Sequence, residues 1–138
     1  MNKWKESHVN PEWSDLIGKT MKILQKEAEL QEIVQLVGPD ALPERERVIL
    51  EISRMIREDF LQQNAFHEID TYTSLKKQYL ILKAIWDLHD KVIELGMSAK
   101  DVAELEVTYL IGKIRYTPED EVEQLFEDIE RKIGEMRR

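Results

Sequence analysis

The triplet Gly18-Lys19-Thr20 has the residue types that close a phosphate-binding loop, where backbone amides and a lysine hold a polyphosphate. Such a loop also needs an earlier glycine and a strand leading into it. Trp13 stands where that glycine belongs, and the triplet falls within a helical pattern, so the match reads as coincidence. The histidines offer no stronger chemistry. A di-metal site in a helical bundle is built from Glu-x-x-His units on facing helices. Here Lys5, Asn64 and Trp86 stand three residues before His8, His67 and His89. His89 falls on an apolar helix face and reads as a hydrogen-bonded core residue rather than a ligand. No Gly-x-Ser-x-Gly elbow and no His-Glu-x-x-His pair occurs. Without cysteine, disulfides and thiolate metal sites are excluded. The residues alone therefore nominate no catalytic group and no metal ligand.

Composition narrows the partners. The 138 residues carry a formal charge of −8, with 42% hydrophobic and 35% charged side chains. That length suits one domain with one core. The acidity argues against nucleic acid, whose phosphates attract cationic proteins, and against an anionic membrane surface. Apolar runs such as Tyr79-Leu80-Ile81-Leu82 fall far short of a membrane span. Met1-Asn2-Lys3-Trp4-Lys5 leads into no hydrophobic signal region. These features predict a soluble, intracellular protein with no direct membrane insertion, compatible with a cytoplasmic location.

The elements follow from punctuation and period. Asn10-Pro11-Glu12 is a helix start: a capping side chain, a proline at the first helical position and an acid near the positive helix end. Leu16, Ile17, Thr20, Ile23, Leu24, Leu30, Ile33, Val34 and Val37 then recur at helical spacing until Gly38-Pro39 stops them. A continuous helix there is about 40 Å long. A second start, capped by Asp40 or Leu42, precedes Pro43-Glu44, and Val48, Ile49, Ile52, Met55, Ile56, Phe60 and Leu61 form its apolar face. So short a turn predicts an antiparallel helix hairpin. The charge run Glu44-Arg45-Glu46-Arg47 reads as a solvated face.

Gln62 to Ser74 reads as an irregular connection, with Glu68-Ile69-Asp70-Thr71-Tyr72 the one segment of strand period. Ser74 caps a third helix that Gly96 ends. Ser98 and Asp101 form a capping-box pattern before a short helix that falters near Gly112. Thr117-Pro118-Glu119-Asp120 opens the last helix, whose inward positions are Val122, Leu125, Phe126, Ile129 and Ile133. The expectation is an all-α bundle of about five helices built on the long N-terminal hairpin. Residues 1–9 form a frayed end and 10–138 a single helical domain.

Two stretches carry a resemblance. Lys26-Glu27-Ala28-Glu29-Leu30-Gln31-Glu32-Ile33-Val34-Gln35-Leu36-Val37-Gly38-Pro39-Asp40-Ala41-Leu42-Pro43 resembles the start of the C-terminal helical domain of the catalytic A subunit of archaeal-type and vacuolar-type rotary ATPases. Arg57-Glu58-Asp59-Phe60-Leu61-Gln62-Gln63-Asn64-Ala65-Phe66 continues it, as do Asp70-Thr71-Tyr72 and Lys77-Gln78-Tyr79. The likeness is dense from Asn10 to about Lys83 and weak beyond Gly96. It implies that a nucleotide-binding domain, with the phosphate loop, catalytic carboxylate and Mg-bound ATP or ADP, precedes this sequence in the parent protein. The chain alone is then neither an ATPase nor a nucleotide binder, while its parent complex is an ion-translocating rotary ATP synthase or ATPase.

The resemblance also implies roles. Gly38, Pro39, Asp40, Ala41, Leu42, Pro43, Glu44, Arg45 and Glu46 correspond to a tip that contacts the central rotor. This tip is less uniformly acidic than that of F-type subunits, and Pro39 and Pro43 stiffen it. Phe66 corresponds to an aromatic residue lying against adenine in the intact catalytic protein, where a ring face supplies dispersion. The implied partners are neighbouring A and B subunits and the rotor subunits, in a complex peripheral to a membrane. The alternative is a stand-alone helical adaptor or regulator that has kept the scaffold. A small enzyme using buried carboxylates ranks third.

Overall fold

The computed structural model describes residues 10–61 and 74–137. The expected frayed end at 1–9, the extended segment 68–72 and Phe66 lie outside the described residues, as does the irregular connection up to residue 73. Among the described residues the chain forms six α-helices and no strand. They are α1 (Asn10–Val37), α2 (Glu44–Met55), α3 (Leu75–Leu95), α4 (Ala99–Ala103), α5 (Glu106–Gly112) and α6 (Val122–Glu135). The fold is all-α.

In α1 the buried positions are Leu16, Thr20, Ile23, Glu27 and Leu30, alternating by four and three residues. That spacing draws one narrow stripe along the helix, flanked by the partly buried Trp13, Ile17 and Leu24. The stripe ends early: Ile33, Leu36 and Val37 are exposed. After α2 the helical path widens into a π-helical stretch, Ile56–Leu61, which still buries Ile56 and Phe60. The tilted rings of Trp13 and Phe60 lie 6.3 Å apart, joining the start of α1 to this stretch.

Helix α3 is the centre of the molecule. Leu80, Ile81, Leu82, Ala84, Ile85, Trp86, Leu88 and Val92 are all buried, because α1, α2 and α6 each pack against it. Its ends follow the expected local chemistry. Ser74 Oγ accepts from the Lys77 amide at 3.1 Å, and Gly96 turns left-handed with φ 68°. His89 is half-buried and surface-facing, with Nδ1 3.0 Å from Asp90 and its ring edge-on to Trp86. It is hydrogen-bonded, as expected, but is not a core residue.

Two boundaries differ from the sequence reading. The short helix after Ser98 is two helices, broken where Thr108 Oγ1 donates to the Val102 carbonyl at 2.7 Å. The last helix begins at Val122 rather than Pro118. Thr117 does not cap it: Glu121 precedes the first helical residue, and the Thr117 hydroxyl donates back to the Lys113 carbonyl at 2.8 Å. Glu119 is drawn aside to Ser74 Oγ. One hydrophobic cluster extends from Leu16 to Ile133; Leu30 and Leu42 are buried apart from it.

Candidate functional site at the turn between the first two helices

The turn is built almost wholly from backbone constraints. Gly38 adopts φ 90° and ψ 160°, a region that a side chain with Cβ rarely enters. Its amide still donates to the Val34 carbonyl at 2.8 Å, so the reversal begins directly on the last turn of α1. Pro39, Asp40 and Ala41 make a single 3-10 turn, closed by the Leu42 amide donating to the Pro39 carbonyl at 3.1 Å. Pro43 is itself the N-cap of α2, extended at ψ 157°, and its carbonyl accepts from the Glu46 and Arg47 amides. The cap is therefore neither Asp40 nor Leu42. A residue preceding proline is held extended, and Leu42 is so held, with ψ 134°.

Side chains lock the turn from behind. Arg47 Nε donates to the Leu42 carbonyl at 3.1 Å, and its Nη2 lies 3.7 Å from Asp40. Glu44 Oε2 accepts from the Ala99 amide at 2.7 Å, tying the first turn of α2 to the start of α4. Of the nine residues singled out, Pro39, Asp40, Ala41, Pro43, Glu44 and Arg45 are exposed, Gly38 and Glu46 are half-buried, and Leu42 is 4% exposed. Leu42 thus anchors the turn from inside. The sequence reading missed the neighbouring apolar end of α1, where Leu36 is 83% and Val37 65% exposed. Helical spacing alone places Val37 with the core face.

Gly18-Lys19-Thr20 does not form a phosphate loop. Gly18, Lys19 and Thr20 lie inside α1, where backbone amides serve the helix. Thr20 Oγ1 donates to the Leu16 carbonyl at 2.8 Å and accepts from the Trp86 indole at 3.2 Å, and Lys19 sits over the Trp86 ring. Among the described residues no group of His, Cys, Asp or Glu is arranged to hold a metal ion.

The profile of the C-terminal domain of V and A type ATP synthase matches residues 2–103. The chain belongs to this family. It is 49% identical over 138 residues to a V-type ATP synthase alpha chain from Acetivibrio thermocellus, covering 98% of this chain and 23% of that protein. It is 46% identical over 138 residues to the A subunit of the A-type ATP synthase from Methanopyrus kandleri, with the same coverage. Against the corresponding A subunit of Methanosphaera stadtmanae it is 48% identical over 136 residues, covering 96% of this chain and 23% of the relative. The chain thus spans about a quarter of the length of these relatives.

One further cleft of this V/A-type C-terminal domain, about 480 Å³, is lined by Arg54, Asp59, Thr108, Tyr109, Lys113 and Tyr116 among others. Burial pushes the Asp59 carboxyl up to about 6, against the pull of the Arg54 and Arg115 charges. Gly112 lies beside it, and a Cβ there would sit 3.4 Å from Asp59 Oδ1, in van der Waals contact. Arg54 is bound to Glu51 and Glu58 along its own helix, which raises its affinity for the proton. No sequence pattern marked this cleft, because only packing joins Arg54 and Asp59 to residues of α4, α5 and the turn that follows.

Proposed function

We propose that this chain is the rotor-contacting and assembly domain of the A subunit of a rotary ATP synthase. In this reading it couples ATP hydrolysis or synthesis to rotation and ion transport, while Mg-bound nucleotide is handled by another part of the same polypeptide. Its partners are neighbouring A and B subunits and the central rotor, in a complex peripheral to the membrane. The helix pair α1–α2 acts as an antiparallel hairpin whose tip, Gly38 to Glu46, meets the rotor. Phe66 lies against adenine in the intact catalytic protein; that assignment rests on resemblance.

The observation that carries the reading, beyond family membership, is the exposed apolar end beside the turn. Ile33, Leu36 and Val37 stand at i, i+3 and i+4 and so share one helix face. Apolar side chains grouped on a surface mark a contact with a partner. The turn itself is stiff, with Pro39 and Pro43 restricting the backbone on both sides. Stiffness suits a part that pushes.

A thiol placed on the turn gives a direct test. Ala41→Cys, introduced into the full-length polypeptide of an assembled complex, places one reactive thiol on the exposed turn. A short thiol-to-amine cross-linker should join it to a rotor subunit. Cross-links confined to other subunits, or none in an assembled and active complex, would refute the tip's role.

A further inference from the structure

The first turn of α1, the middle of α3 and the middle of α6 converge on five ionisable side chains. Tyr79 donates its phenolic hydrogen to Glu12 Oε1 at 2.6 Å. Lys83 Nζ lies 3.1 Å from Asp87 Oδ1 and 3.7 Å from Glu12 Oε2. Glu130 stands on α6, which packs against α3, and its Oε2 is buried with no hydrogen-bond partner; Asp87 is the neighbour that acts on its charge. The group therefore holds three carboxyls and one ammonium, and the ammonium is already engaged by Glu12 and Asp87.

Full ionisation would press the Glu130 carboxylate against the Asp87 carboxylate in a half-buried place, with one oxygen lacking any donor. Such an arrangement is costly. A single proton removes the difficulty, turning one carboxyl into a donor with the other as its acceptor. We propose that Asp87 and Glu130 share one proton, and that this shared proton latches α6 onto α3.

The electrostatics agree with the geometry. Burial, then the hydrogen bond and the charge of Asp87, raise the Glu130 carboxyl to about 8, with Lys83 opposing. Burial works against the charge on Lys83, but Asp87, Glu12 and Glu130 outweigh it, so Lys83 loses its proton less readily than usual. Burial and Glu12 push Tyr79 well above the ordinary phenol range. Lys83 and Tyr79 thus keep their states while the Glu130 carboxyl titrates. The cations of α6 are turned elsewhere: Arg131 pairs with Asp128 and Glu135, and Lys132 with Glu106 of α5.

The sign follows from linkage. Glu130 has its folded value raised above the ordinary one, so its stabilisation is complete below about pH 4.5 and is lost as pH rises to about 8. Alkaline conditions should therefore loosen α6. Amide hydrogen exchange on the full chain, wild type and Glu130→Gln, reads this directly after correction for intrinsic exchange. In the wild type, protection of α6 should fall as pH rises from about 5 to 8, by at most about tenfold per pH unit. Glu130→Gln, which cannot ionise, should lose that slope. Equal slopes in both proteins would overturn the latch. If the variant does not fold, carbon-13 titration of the wild-type carboxyls decides: a Glu130 resonance moving near pH 8 supports the shared proton, and one moving in the ordinary glutamate range refutes it.

Discussion

Arg57 donates from Nη2 to Glu27 Oε2 at 2.7 Å and from Nε to the same oxygen at 3.1 Å, across thirty residues of chain. Glu27 is the one acid in the buried stripe of α1. Its position is tolerable only because the arginine fork meets it. Residues 27 and 57 lie equally far from Leu42, so the pair fixes where the chain after the turn meets the chain before it.

Removing the arginine should do more damage than removing the acid. Arg57→Ala leaves a buried carboxylate unpaired, at a cost of about 2–4 kcal/mol. Glu27→Met keeps the volume of the stripe and leaves a half-exposed arginine that water can solvate, so it should cost under about 1.5 kcal/mol. Urea denaturation of both variants checks the order. A larger loss in Glu27→Met would mean that the acid, not its pairing, matters for the fold.

Thr20→Val should be destabilising despite preserving shape. It strands the buried Trp86 indole N–H, which now donates to Thr20 Oγ1. The expected loss is about 1–3 kcal/mol, with Thr20→Ser much milder. Thermal melts that cannot separate Val from Ser would contradict the hydrogen-bond argument.

Gly38→Ala tests the turn's backbone. A Cβ there meets nothing within 4 Å, so the whole cost arises from φ 90°. About 1–3 kcal/mol should be lost, without rearrangement of α1 or α2. A change under about 0.5 kcal/mol would show that the turn relaxes freely, against its proposed stiffness.

Asp59 gives a second pH dependence. Its folded carboxyl titrates at about 6 because it is buried, above the ordinary 3.8. The stability it permits is complete below about pH 3.8 and lost as pH rises through about 6. Asp59→Asn should therefore melt higher than wild type at pH 7.5, with the gap closing towards pH 4. A constant gap across that range would remove titration as its cause.

Much of this fold is written locally. Ser74, Gly96 and Ser98 act as the sequence suggests, because a cap is a bond between a side chain and backbone a few residues away. Thr117 shows the limit: it looks like a cap, but its hydroxyl reaches back to the Lys113 carbonyl and the helix starts only after Glu121. The second helix was legible as far as Met55, but nothing in Ile56 to Leu61 signals the wider helical turn. Apolar period also cannot tell a core face from a partner-facing one, so Ile33 and Val37 looked like Leu16 and Ile23. The Glu12, Lys83, Asp87 and Glu130 cluster was invisible, since only tertiary packing joins residues so far apart in sequence.

The central claim is that a stiff turn, rather than a block of charge, transmits force. ATP-driven ion pumping by the reconstituted complex, with substitutions placed in the full-length polypeptide, tests it most directly. The variant Glu44→Ala with Glu46→Ala loses exposed or half-exposed charges and the Glu44 contact to Ala99, each a small contribution screened by salt. It should retain most of the pumping. The variant with Pro39, Leu42 and Pro43 all changed to Gly loosens the backbone and removes the buried anchor of the turn. It should lose most of the pumping while ATP hydrolysis continues. Full loss in the alanine variant with normal pumping in the glycine variant would contradict the account.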